Sequence, residues 1–155
     1  MVNAESWLKD LKIEEPLIKL NGQNITPFKI VGDLLFINGT APTDENGNLA
    51  YCGRIGVEYS SHDGYDAARL ASLNVLQIIK DALGDLDRVD YVIKSMVLVN
   101  ASSGYTDIYN VADGFSDVLT EFLGARGLHA RNAVGASGLD GNSPVICDAI
   151  VKIRS

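Results

Sequence analysis

The spacing of apolar and polar residues changes period several times along these 155 residues, and each change marks an element. From residue 3 to residue 13, Trp7, Leu8 and Leu11 recur at helical spacing, with Asn3 as a candidate N-cap and Glu14-Glu15-Pro16 as the stop. Residues 17–20 and 28–31 read as strands around the turn-rich Asn21-Gly22-Gln23-Asn24. Gly32-Asp33 then makes a tight turn into a strand over 34–37 that ends at Asn38-Gly39. Asp44-Glu45-Asn46-Gly47 is a further turn, leading to short segments at 49–51 and 53–57.

Two helices follow. Ser61 is placed to cap the first, with Asp63 in its opening turn. Alanines and aliphatics run from Ala67 to Leu83, and Asp66, Arg69, Gln77, Lys80 and Asp81 supply a polar side. Gly84 stops it. The second begins near Thr106 and sets Ile108, Val111, Ala112, Phe115, Val118, Leu119, Phe122 and Leu123 on one stripe, with Asn110, Asp113, Asp117 and Glu121 opposite. Between the helices, the β-branched run over 89–99 predicts a long strand. At the C-terminal end, Val145, Cys147, Ala149, Val151 and Ile153 alternate with Asp148 and Lys152, the pattern of a half-buried strand.

This order, a hairpin and a strand followed by helix, strand, helix, strand and strand, predicts an α+β fold: a mixed sheet with two helices packed on one face. The bare face of such a sheet must also be covered, and self-association is the usual way.

Composition narrows the function classes. The formal net charge is −7 and cationic residues are not clustered, which argues against a nucleic-acid partner. No apolar run approaches a membrane span and no signal-peptide core opens the chain, so a cytoplasmic protein is expected. Cys52 and Cys147 lack CxxC or histidine neighbours and read as reduced core residues. There is no Walker loop, GxGxxG turn or HExxH, and neither a metal nor a cofactor is expected. With only His62 and His129 available, a histidine metal site or a Ser-His-Asp triad has little to draw on. Gly135, Gly138 and Gly141 read as turn glycines of a loop between the last two strands.

Two charges remain unexplained inside strand-like segments. Arg131 lies among Ala130, Ala133 and Val134, and Asp148 lies within the terminal strand. A buried charge needs a partner or a ligand. For Arg131 the choices are a salt bridge to one of the many acids or a bidentate clamp for a small carboxylate. Asp148 pairs with Lys152 on the same face or holds a water near a substrate. Asn38-Gly39 is either an ordinary turn or a place where backbone and amide meet a ligand.

Three blocks around these residues resemble the reactive intermediate deaminase (Rid) or YjgF family, also called endoribonuclease L-PSP-like. The first is Leu34-Leu35-Phe36-Ile37-Asn38-Gly39-Thr40-Ala41-Pro42, similar to the family's strand ending in Ser-Gly-x-x-Pro. The second is Ala82-Leu83-Gly84-Asp85-Leu86-Asp87-Arg88-Val89, similar to its Gly-x-x-Leu-x-x-Val. The third is Ala130-Arg131 with residues 145–153. Together they span about residues 17–154, following an N-terminal helical extension over 1–16 and leaving a single domain over 17–155.

The resemblance implies a chorismate-mutase-like fold, a homotrimer whose sheets line a central β-barrel, and ligand clefts between subunits. It further implies hydrolysis of imines and enamines such as 2-aminoacrylate, with Arg131 holding the substrate carboxylate and Asp148 positioning water. Asn38, Gly39, Ser103, Tyr105 and Ala133 would complete the pocket. The implied ligands are 2-imino or 2-oxo acids. The departures from the family pattern are Asn38 for its serine, Ile25 for its early tyrosine, Ser103 for a loop asparagine and Asp148 for glutamate. These leave open a second reading, a trimer that binds small metabolites without catalysis.

Overall fold

The computed structural model describes residues 25–154; the helix expected over 3–13, the strand over 17–20 and the extension over 1–16 lie outside them. Five strands and two α-helices follow in order: β1 (Phe28–Val31), β2 (Leu34–Thr40), α1 (Ser61–Leu83), β3 (Val89–Asn100), α2 (Ile108–Leu123), β4 (Ala130–Ala136) and β5 (Val145–Ile153). The strand order is β1-β2-β5-β3-β4, with β3 and β4 parallel and the other neighbours antiparallel. This is the mixed sheet that the periodicity predicts. Among the described residues, no helix is long and apolar enough to cross a membrane.

β5 runs through the middle of the sheet, and its alternation is clean. Val145, Cys147, Ala149, Val151 and Ile153 are buried, while Ile146, Asp148, Ile150 and Lys152 are only partly covered. The buried set packs with Leu35, Val97 and Val99 against Val75, Ile79 and Phe115 of the helices. The opposite face of the sheet keeps Phe36 and Val134 exposed.

The two helices meet through small residues. Gly114 of α2 lies so near α1 that a Cβ there would come within 2.2 Å of the Tyr65 carbonyl oxygen. Outside this contact, Tyr65 Oη donates to Asp117 at 2.7 Å, and Arg69 grips Glu121 through two bonds of 2.8 Å. The acids on the polar side of α2 thus tie the helices together.

Several sequence expectations are corrected. The N-cap of α1 is Ser60, not Ser61: Ser60 Oγ accepts from the Asp63 amide, and the Asp63 carboxylate accepts from the Ser60 amide, a complete capping box. Gln77 is not on a wet face; it is 4% exposed and donates to Asp81 at 2.8 Å. Cys52 is exposed, and only Cys147 belongs to the core. Gly135 is within β4 and not in the loop, whereas Gly141 adopts φ +60° in the β4–β5 connection, as a turn requires. Lys152 pairs with Asp33, at the β1–β2 turn, and so is engaged away from Asp148.

Between β2 and α1 the chain forms isolated bridges in place of regular strands. Ile55 anchors this segment, fully buried, with its amide on the Asn100 carbonyl at 2.8 Å and its carbonyl taking the Ser102 amide at 2.9 Å.

Candidate functional site

Strand alternation turns Arg131 and Ala133 toward α2 and turns Asn132 and Val134 away from it. The Arg131 side chain is 13% exposed, and its guanidinium is held by three groups of one helix. Nη1 lies 2.9 Å from Asp113 Oδ1, and the same nitrogen donates to Ser116 Oγ at 3.0 Å. The guanidinium carbon stands 5.3 Å from the centre of the Tyr109 ring. Both polar contacts go through Nη1, so Nε and Nη2 have no protein partner among the described residues.

Arg131 borders a cavity of about 260 Å³ together with Tyr109, Ser116, Thr120, Leu128 and His129. Tyr109, Asp113, Ser116 and Thr120 follow one another at helical spacing, a polar stripe down one side of α2. His129 and Arg131 are two apart at the entry to β4 and share its face. His129 Nδ1 lies 2.6 Å from the Gly127 carbonyl oxygen and Nε2 lies 3.2 Å from Ser116 Oγ. Burial is the main cause that lowers the His129 pKa below the ordinary histidine value. The Gly127 carbonyl opposes it, and the Arg131 charge adds a smaller effect in the same direction as burial.

Asp148 is on the other side of the sheet. Met96 and Asp148 are register partners on β3 and β5, and the Met96 amide donates to Asp148 Oδ1 at 3.0 Å. Partial burial raises its carboxyl pKa, against the Met96 hydrogen bond and the Lys94 charge, which lower it.

Asn38 is close to Asp148 in register, because Ile37 pairs with Ala149 before β2 bulges on its way to Thr40. Asn38 Oδ1 is buried with no partner among the described residues, an acceptor awaiting a donor. Gly39 has a packing reason: a Cβ there would lie 2.9 Å from Ile146 Cγ2. Ile25 is 55% exposed and offers no hydrogen-bonding side chain where the family pattern has tyrosine.

Ser103 and Tyr105 line a third place, a cavity of about 380 Å³ shared with Arg54, Ser102 and the chain from Gly135 to Ser137. Tyr105 Oη is 2.6 Å from Ser61 Oγ.

One chain therefore brings together Asn38, Gly39 and Asp148, separately Ser103 and Tyr105, and separately Arg131 with Ala133 beside it. The three groups do not converge. The sequence pattern alone does not place Tyr109, Asp113, Ser116 and His129 around Arg131. The polar stripe at helical spacing along α2 was the available signal for the first three.

The same arrangement of strands and helices occurs in known proteins. The family model described as "YjgF/chorismate_mutase-like, putative endoribonuclease" matches residues 5–150. Protein TCP17 of Trypanosoma cruzi is 34% identical over 149 residues, covering 96% of this chain and 92% of its own. Atu1372 of Agrobacterium tumefaciens, a protein of unknown function, superposes with a TM-score of 0.87 at 35% identity, covering 97% of this chain and 92% of that one. A "putative endoribonuclease" of Shewanella oneidensis gives a TM-score of 0.89 at 30% identity, covering 97% and 99%. By sequence over nearly its whole length and by fold, this chain belongs to the YjgF/chorismate mutase-like family.

Proposed function

We propose that this protein binds a small 2-imino or 2-oxo acid in a cleft built between copies of itself and hydrolyses the imine. The observation that carries this reading is the state of the Arg131 guanidinium. The Arg131 side chain is largely buried and borders a cavity, and among the described residues only Nη1 is engaged. A planar cation with free donors in such a place suits a carboxylate.

The intersubunit part of the proposal follows from the placement of Asp148. Arg131 faces α2 and Asp148 faces the uncovered side of the sheet, so both can meet one ligand only if a second chain supplies one of them. The exposed Phe36 and Val134 on that side and the outer edge of β4, which pairs with no strand among the described residues, support association. A trimer closed around a barrel is the arrangement expected from the family resemblance.

The chemistry asks little of the protein. Water adds to the electrophilic C=N carbon, the C–N bond breaks, and the products are a 2-oxo acid and ammonia. A carboxyl with a raised pKa, such as Asp148, is suited to take a proton from water and return it to the departing nitrogen. Orientation by Arg131 supplies the rest. The test is the decay of enzymatically generated 2-imino acids: the native protein accelerates it and Arg131→Ala does not. Equal acceleration by that variant would remove Arg131 from the proposal.

One observation favours a second reading, a binding protein without catalysis: the exposed Ile25 cannot orient a substrate by hydrogen bonding. This reading predicts a thermal shift with 2-oxo acids that depends on Arg131, without imine turnover. Ribonuclease activity is disfavoured by the charge of −7, which repels a phosphate backbone.

A further inference from the structure

The cavity beside Arg131 holds an arrangement that carboxylate binding does not use. The Gly127 carbonyl oxygen can only accept, so the 2.6 Å contact requires a hydrogen on His129 Nδ1. In the neutral ring this leaves Nε2 as an acceptor, and the Ser116 hydroxyl, 3.2 Å away, is its donor. Ser116 Oγ meanwhile receives a hydrogen bond from Arg131 Nη1 at 3.0 Å. A hydroxyl thus points its proton at a base, the base is fixed by a third group, and a cation stands at the oxygen. The Phe115 ring, edge-on to His129 at 6.3 Å between centroids, helps fix the imidazole plane. Burial favours the neutral, proton-accepting form of His129.

We propose that Ser116 is a nucleophile for short acyl esters, with His129 as its base and Arg131 as the stabiliser of the oxyanion. Ser116 Oγ bonds to the ester carbonyl carbon while its proton passes to His129 Nε2. The resulting oxyanion forms two bonds from Oγ, within reach of a guanidinium nitrogen that already touches Oγ. The carbonyl then re-forms, the bond to the alcohol oxygen breaks, and that oxygen takes the proton from Nε2. Water repeats the sequence on the acyl-serine, giving up a proton to Nε2 and releasing the carboxylic acid, and Ser116 recovers its proton from Nε2. The orienting group for the base is a backbone carbonyl in place of the carboxylate of a Ser-His-Asp triad. A cavity of about 260 Å³ suits an acetyl or similarly short acyl group.

This activity is separate from imine hydrolysis, and its test reads the acyl group on Ser116. The full chain is treated with p-nitrophenyl acetate and followed by nitrophenol release, intact mass and peptide mapping. The expected result is a burst with one acetyl group on the peptide containing Ser116, no such adduct in Ser116→Ala, and acylation slowed by about 100-fold or more in His129→Gln. A fluorophosphonate probe on the native protein, mapped in the same way, gives an answer that needs no variant to fold. The proposal is overturned if the probe and the acetyl group map elsewhere, or if folded Ser116→Ala releases nitrophenol at the native rate. Imine decay measured on native protein stands or falls independently of either outcome.

Discussion

Arg131 and Asp148 occupy opposite faces of one sheet, on the two strands that flank β3. Side-chain alternation fixes this: Arg131 reaches Asp113 and Ser116 on α2, whereas Asp148 alternates with the buried Cys147 and Ala149 and so faces away from the helices. A site that uses both residues must draw them from two chains. Arg131→Ala and Asp148→Ala are each expected to abolish imine hydrolysis. Mixed in equal amounts, unfolded and refolded together, they should recover activity, because some interfaces then pair an intact Arg131 with an intact Asp148. Random assembly puts the recovery at about a quarter of the native activity. Mixtures as inactive as either parent would show that the site is not shared in this way.

Asp113 holds the Nη1 end of the same cation. Its carboxylate lies 2.9 Å from Arg131 Nη1 and is 49% exposed, so it is an internal competitor for any carboxylate that enters. Pairs this open contribute about 0.2–1 kcal/mol, which corresponds to at most about a five-fold change in affinity. Asp113→Asn is therefore expected to lower, up to about five-fold, the concentration of a 2-oxo acid needed for half of its thermal shift. A higher concentration would mean that Asp113 orients Arg131 more than it competes for it.

The fold was legible wherever one residue pattern had one structural meaning. The alternation of 145–153 and the stripe of α2 allowed a single arrangement each, and both elements form where the pattern sets them. Gly84 ends α1 in the left-handed conformation that the sequence pattern anticipates. The misses have physical causes. Ser60 and Ser61 are adjacent and chemically identical, and only the reach of the Asp63 carboxylate to the Ser60 amide decides between them. Lys152 was a plausible partner for Asp148 by spacing along β5, but the β1–β2 turn brings Asp33 to it from far away in sequence. The surroundings of Arg131 depend on how α2 crosses β4, and strand periodicity carries no information about that.

The capping box gives the Ser60 assignment an energetic test. Ser60→Ala removes an acceptor from the first turn of α1 and leaves the Asp63 amide without its cap, which costs about 1 kcal/mol. Ser61→Ala leaves the box intact and loses the bond to Tyr105 Oη. Urea unfolding is expected to show a lower midpoint and an unchanged slope for Ser60→Ala. A larger loss in Ser61→Ala would return the cap to Ser61.

The contact between the helices leaves no room for one added carbon. A Cβ at Gly114 would sit 2.2 Å from the Tyr65 carbonyl oxygen, which is backbone and cannot rotate away. Gly114→Ala should cost about 1–3 kcal/mol despite the higher helix propensity of alanine, because α1 and α2 must separate. Thermal unfolding is expected to show a lowered midpoint. An unchanged or raised midpoint would mean that α1 shifts at little cost.

His129 links stability to pH, and the sign follows from the direction of its shift. Its folded pKa is lowered, chiefly by burial and in part by the Arg131 charge, so the folded state prefers the neutral ring. Its contribution is fully present above the unfolded value, near pH 6.5, and is lost as pH falls toward the folded value, where the ring must take a charge inside the cavity. Asp148 shifts in the opposite sense: burial raises its carboxyl pKa, so its ionisation costs stability as pH rises from the ordinary carboxyl value of 3.8, whereas His129 costs stability as pH falls. The melting temperature is therefore expected to fall between pH 7 and pH 5.5 in the native protein and to fall less in His129→Gln, which cannot be protonated. Parallel pH curves for the two proteins would mean that His129 titrates as freely in the folded state as in the unfolded one, and the cavity would then not hold a neutral base.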